Sequence, residues 1–217
     1  MMKLVFAEQS GTNFKILCLG AHSDDIEIGC GGTVLKLLEQ NPETEICWVV
    51  LGAAGHRKSE AVGSAEIFLA GAIRKEVITR EFRDGYFPDM WAEVKDFFEE
   101  LRKRFQPDLI LTHYRGDLHQ DHRLVSELTW NTFRDHLILE YEIVKYDGDL
   151  GAPNFFVPLT EIAAQKKIRT IMDCFVSQTH TSWFTEDTFS SILRLRGVEC
   201  NAPEKYAEAF HCRKIVC

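Results

Sequence analysis

His22, Asp24 and Asp25 stand together in AHSDDIEIGCGGT (residues 21 to 33). His119, Asp121 and His122 stand together in THYRGDLHQDHRLV, 100 residues further on if His22 is counted to His122. Adjacent carboxylates repel, so a turn that keeps both Asp24 and Asp25 charged calls for a compensating cation. The three-residue spacings of His22 to Asp25 and of His119 to His122 aim each pair to one side of a turn or opening helix. Two imidazoles and one carboxylate with an open fourth position is a catalytic zinc arrangement, in contrast to a closed structural one. The spare carboxylate, Asp24, is then free to act as general base.

These residues must be positioned by the elements around them. Phe14 to Leu19, Ile46 to Leu51, Val77 to Phe82 and Leu109 to Thr112 read as strands. Between and after them, Thr33 to Gln40, Ser59 to Leu69, Trp91 to Phe105 and His122 to Phe133 read as helices. Later come a strand at Tyr141 to Lys145, a loop at Gly148 to Pro158, a helix at Glu161 to Ser177 and a final strand at Ala207 to Val216. Strand–helix alternation with right-handed crossovers predicts an α/β fold. The expected form is a three-layer Rossmann-like fold with a mostly parallel central sheet and helices on both faces, built as a single domain over residues 1–217. Both clusters follow carboxyl ends of strands, where open parallel sheets form their sites at a reversal of winding. As a local alternative, Asp24 and Asp25 would simply cap the following helix, but two clusters at neighbouring strand ends weigh against it. Gly29, Gly31 and Gly32 lack the third glycine of a dinucleotide loop, and Asp24 and Asp25 would meet the pyrophosphate; tight packing of loop against helix is the better reading.

Hydrophobic residues make up 45% of the 217 and charged ones 27%, a globular profile, and the net charge of −8 argues against nucleic acid. Met1 to Ser10 does not read as a secretory signal, and no apolar run is long enough to span a membrane. Seven scattered cysteines without a Cys-x-x-Cys pair suit free thiols in a reducing cytoplasm. A homo-oligomer stays open. His113 reads as a residue lining the crevice, His136, His180 and His211 as surface or satisfied interior groups, and His56 is undecided.

The pairing of AHSDDIEIGCGGT with HQDHRLV resembles the PIG-L/LmbE zinc-dependent N-deacetylases, and the likeness extends to VVLGAAGHR, FRDGYFPD, VSQ and YAEAFHCRK. Ser23 stands where that family usually has proline. The resemblance implies zinc, or another divalent metal, on His22, Asp25 and His122, with Asp24 as general base. It implies that His119 polarises the substrate carbonyl or protonates the leaving amine, oriented by Asp121 so that its pKa rises. The implied reaction is hydrolysis of an N-acetyl group on an amino sugar or its nucleotide, lipid or thiol conjugate.

For the substrate, Tyr146, Phe155 and Phe156 beside Asp147, Asp149 and Asn154 suit a sugar, or else anchor a surface loop. Arg57 and Asp117 are candidate substrate-binding residues, with Asp117 alternatively supporting His119; Lys58, Arg83 and Arg115 could hold a phosphate. The competing class is a non-catalytic Rossmann-like nucleotide- or metal-binding module. A hydrolase of a thiol conjugate or non-sugar amide would use the same residues.

Overall fold

The computed structural model describes residues 14–216. The segment Met1 to Ser10 and Cys217 lie outside the described residues. The chain runs β1 (Lys15–His22), α1 (Asp25–Gln40), β2 (Glu45–Gly52), α2 (His56–Phe68), β3 (Arg74–Thr79), α3 (Trp91–Arg104), β4 (Leu109–His113) and α4 (Gln120–Thr132). It continues through β5 (Leu137–Tyr141), β6 (Phe155–Leu159), α5 (Glu161–Cys174), α6 (Glu186–Glu199) and β7 (Tyr206–Cys212). All seven strands join one sheet in the order β3-β2-β1-β4-β5-β7-β6. The first five are parallel, and β7 runs antiparallel to both β5 and β6. This is the expected mostly parallel α/β fold.

Strands covered on both faces need apolar residues at nearly every position, and β1, β2 and β4 carry them. Alternate side chains serve opposite layers. Ile16, Cys18, Trp48 and Val50 pack with α1, α2, α5 and α6, while Leu17, Leu19, Val49 and Leu51 pack with α3 and α4. The winding reverses between β1 and β4, so the loops that follow these two adjacent strands face each other across the sheet end.

The departures from expectation have local causes. Helix α1 starts at Asp25, eight residues before Thr33, and runs through the glycines. They are not loop residues: a Cβ on Gly29 would stand 2.1 Å from the Tyr141 ring, and one on Gly31 would stand 2.6 Å from Phe68. β5 precedes the expected strand and ends at Tyr141. β6 falls in the expected loop; it contains Pro158, which only an edge strand tolerates. Helix α6 had no sequence counterpart, because the buried Arg196 completes the stripe begun by Phe189 and Leu193.

Candidate metal centre

His22 ends β1, and Asp24 and Asp25 open α1 immediately after it. The capping alternative holds in position only: Asp24 is the N-cap and Asp25 a first-turn acid of α1, but the Asp24 side chain makes no cap hydrogen bond. It accepts instead from Arg57 Nη2 at 3.0 Å, while Asp25 Oδ2 accepts from the His22 amide at 2.6 Å. Across the switch point, His119 is the N-cap of α4, its Nδ1 accepting the Asp121 amide at 3.3 Å, and His122 lies in the first turn.

The hydrogen-bond partners fix the ring protons. His122 Nδ1 faces Asp117 Oδ2 at 3.0 Å, so that nitrogen carries the proton and Nε2 is left with its lone pair. His22 Nε2 faces Asp121 Oδ2 and Asp84 Oδ1, each at 3.1 Å, so the neutral ring would carry its proton there and keep the Nδ1 lone pair. His22 Nδ1 and His122 Nε2 then approach to 3.1 Å, with Asp25 oxygens 3.4 Å and 3.5 Å from them. Without a metal the raised pKa of His22 puts a proton in this gap, donated to His122 Nε2 and facing Asp25; a divalent cation would take that proton's place. Three overlapping groups among the described residues could hold a metal ion: His22, His119 and His122; His22, Asp84, His119 and Asp121; and Asp25, His113 and His122. The expected trio of His22, Asp25 and His122 draws on the first and the last. His113 is near enough to be considered, but its Nε2 accepts the Ala21 amide at 2.9 Å and its ring stacks on His122 at 3.9 Å. It forms the floor of the site.

Charge is distributed unevenly over these groups. Burial lifts the Asp24 carboxyl above the usual range; Arg57 opposes this and the Asp25 charge adds to it. Burial would lift Asp25 as well, but His122, His113 and His22 outweigh it and hold its pKa well down. Burial and the neighbouring His113 lower His122 to about 4, so its neutral, ligating form dominates. For His22 burial works against charging, and Asp25, with hydrogen bonds to Asp121 and Asp84, overcomes it and raises the pKa.

Several expected roles move. Asp121 does not hold the His119 imidazolium. Its carboxylate bonds His22 and accepts the amides of Gly85 and Phe87, at 2.6 Å and 3.1 Å, so it orients the ring across the site. His119 accordingly has a lowered pKa, from burial and then from the charge of His22, where a raised one was expected. Arg57 is engaged by Asp24 and by Ser177 Oγ at 3.1 Å. Asp117 supports His122 and also accepts the His119 amide at 2.8 Å. Lys58 pairs with Glu81 and Arg83 stacks over Tyr86, and neither reaches these groups. Tyr146 lies edge-on to Trp183, and Asp149 accepts the Leu118 amide at 2.7 Å.

Sequence reasoning missed Lys145, whose Nζ lies 3.0 Å from Asp117 Oδ2 and 2.5 Å from Asp149 Oδ2. It also missed Ser177 and Glu60, which brace Arg57, and Asp84 beside His22. Asp84 lies within FRDGYFPD, a stretch already marked as similar, so its carboxylate was the available signal.

Fold and site together define a Rossmann-like α/β protein with a His/Asp cluster at its switch point that could hold a metal ion. The GlcNAc-PI de-N-acetylase (PIG-L) family matches residues 17–133, more than half the chain, and the chain belongs to that family. Over 206 residues it is 27% identical to a diacetylchitobiose deacetylase of Thermococcus kodakarensis, covering 81% of this chain and 72% of that one. Among solved structures it resembles the N,N'-diacetylchitobiose deacetylase of Pyrococcus horikoshii, with TM-score 0.72, 22% identity and coverage of 96% and 87% of the two chains. It also resembles GalB, the 4-carboxy-2-hydroxymuconate hydratase of Pseudomonas putida, with TM-score 0.71, 20% identity and coverage of 94% and 98%. The fold alone therefore does not select the reaction.

Proposed function

We propose that this chain is a zinc-dependent hydrolase that removes the acetyl group from an N-acetylated amino sugar, free or conjugated to a nucleotide, lipid or thiol carrier. The observation that carries the reading is the convergence of His22 Nδ1, His122 Nε2 and Asp25 on one point, with Asp24 at its edge. Kinship with deacetylases of N-acetylated sugars supports the substrate class. A divalent metal held there supplies Lewis acidity, acidifying water and polarising an acyl oxygen.

The chain's own residues do the rest. Asp24, lifted by burial and held by Arg57, takes the proton of the attacking water. Since His119 Nδ1 accepts the Asp121 amide, the neutral ring carries its proton on Nε2 and donates it as a hydrogen bond to the developing oxyanion. Asp24 then passes its proton to the departing nitrogen as the C–N bond breaks, giving acetate and a free amine. The proton delivery expected of His119 falls to Asp24, because a lowered pKa leaves His119 uncharged near neutrality. Free cysteines, three of them buried, and the absence among the described residues of any helix long and apolar enough to cross a membrane support a cytoplasmic setting.

Metal analysis followed by acetate release from a panel of N-acetylated sugars, nucleotide sugars and thiol conjugates tests this. One divalent metal per chain and acetate from a sugar member are expected. Hydration of an unsaturated acid without acetate release would replace the hydrolase reading, and nucleotide binding with no metal would replace it with the binding module.

A further inference from the structure

We propose a second ligand site, an anion-binding pocket for the phosphate or diphosphate of a small molecule, on the outer side of α4 beside the seam where β7 joins β5. A cavity of about 340 Å³ lies there, lined by Arg115, Glu127, Trp130, Asn131, Arg134 and Lys214. That is the lower end of the range for small-ligand clefts. Glu127, Trp130 and Asn131 project from one face of α4 by their spacing. The cations come from three separate segments: the loop after β4, the residues after α4, and the chain beyond β7.

The charges in this corner are already sorted. Glu140, buried on β5, accepts the Arg115 amide and Trp130 Nε1 and pairs with Arg213, which packs over the Trp130 ring. Its oxygens are taken, and Arg213 is spent on it. Arg115, Arg134 and Lys214 have no carboxylate within ion-pairing distance among the described residues. Only Glu127 in the wall opposes them, so the pocket holds surplus positive charge in a chain of net charge −8. Two of the three cations are also held in place: Lys214 Nζ donates to the Arg134 carbonyl at 2.7 Å, and Arg134 Nε donates to the Asn131 carbonyl at 3.1 Å. A guanidinium anchored through Nε keeps its two terminal nitrogens for an oxyanion, and anchoring lowers the entropy cost of binding.

The test is calorimetry on the metal-loaded protein with inorganic phosphate and, separately, a nucleoside diphosphate, with Trp130 emission as a local reporter. Binding of at least one of the two, weakened tenfold or more in the doubly substituted Arg134→Gln/Lys214→Gln chain and by added salt, is expected. The Trp130→Phe variant should bind but lose the emission change. In His122→Ala, stripped of metal, affinity should be unchanged, which separates this site from the proposed metal centre. Acetate release should be unchanged in the double variant at saturating sugar substrate. The double variant should also keep the parent's thermal midpoint, since every substituted group lies at the surface. Absence of binding up to about 10 mM of both ligands, well below even the weakest useful affinity, would overturn the proposal. So would binding that survives the double variant and disappears in His122→Ala, because the anion would then sit at the metal centre.

Discussion

Asp24 and Asp25 are neighbours in the chain with opposite proton affinities, and their partners explain why. Asp24 is buried with one guanidinium for company, whereas Asp25 faces His22, His113 and His122. Asp24→Asn should therefore keep its metal and lose kcat by about 10²- to 10⁴-fold, the usual contribution of a positioned general base. Asp25→Asn should lose the metal itself. Metal content and kcat measured on both variants check this, and identical behaviour would remove the division of labour. Lys145 acts one bond further out, tying Asp117, and through it His122, to Asp149 in the loop after β5. Partners at this remove typically change metal affinity by about 10- to 100-fold. If the proposed metal binds there, Lys145→Met should weaken its binding toward the lower end of that range, with Lys145→Arg restoring part of it. A competition titration with a chelator would show an unchanged zinc affinity if Lys145 held only its loop.

Helix α1 shows how an element can be shaped by what it touches. Its glycines let the helix press against Tyr141 and Phe68, and Tyr141 in turn donates to the Leu19 carbonyl at 2.6 Å beside His113. Within the same helix the amides of Gly32 and Thr33 donate to Glu208, and Lys167 Nζ donates to the Ile28 carbonyl at 2.6 Å. A methyl group at Gly29 has nowhere to go. Gly29→Ala should destabilise the fold by about 1–3 kcal/mol, the ordinary cost of overpacking a core. Gly63 in α2 has open space around its would-be Cβ, so Gly63→Ala should stabilise by about 0.5–1 kcal/mol. Urea unfolding of both variants measures the contrast, and equal shifts would mean that helix propensity alone governs both positions.

At the scale of the molecule, the antiparallel end of the sheet carries a pH dependence separate from the metal centre. His211 on β7 stacks on Tyr114 at 3.7 Å, and burial followed by the charges of Arg196 and Arg213 lowers its pKa from 6.5 to about 4. The folded chain therefore binds its proton less readily than the unfolded chain does. The stability this represents is present above pH 6.5 and is lost as the pH falls from 6.5 toward 4. The metal-free protein should unfold at lower urea at pH 5 than at pH 7, and His211→Phe should lose less over the same interval. An identical loss in both chains would assign the acid sensitivity elsewhere.

What the sequence alone determined is what depends on neighbours along the chain. The apolar run from Phe14 to Leu19, the three-residue spacing of His22 to Asp25 and the strand–helix alternation were all readable, because backbone period and turn geometry are local. From them followed the parallel sheet and the meeting of two clusters 100 residues apart. Tertiary structure alone decided which group each side chain bonds. Arg57 reaches Asp24 from 33 residues away, Asp121 turns to His22 from 99 away, and the glycines of α1 meet aromatic rings from α2 and β5. β6 and α6 were hidden for the same reason: Pro158 is tolerable only because that strand lies at the sheet edge, and Arg196 is buried only because Glu142 pairs with it. A proton's place and a buried charge's partner are properties of three-dimensional proximity, and no periodicity along the chain encodes them.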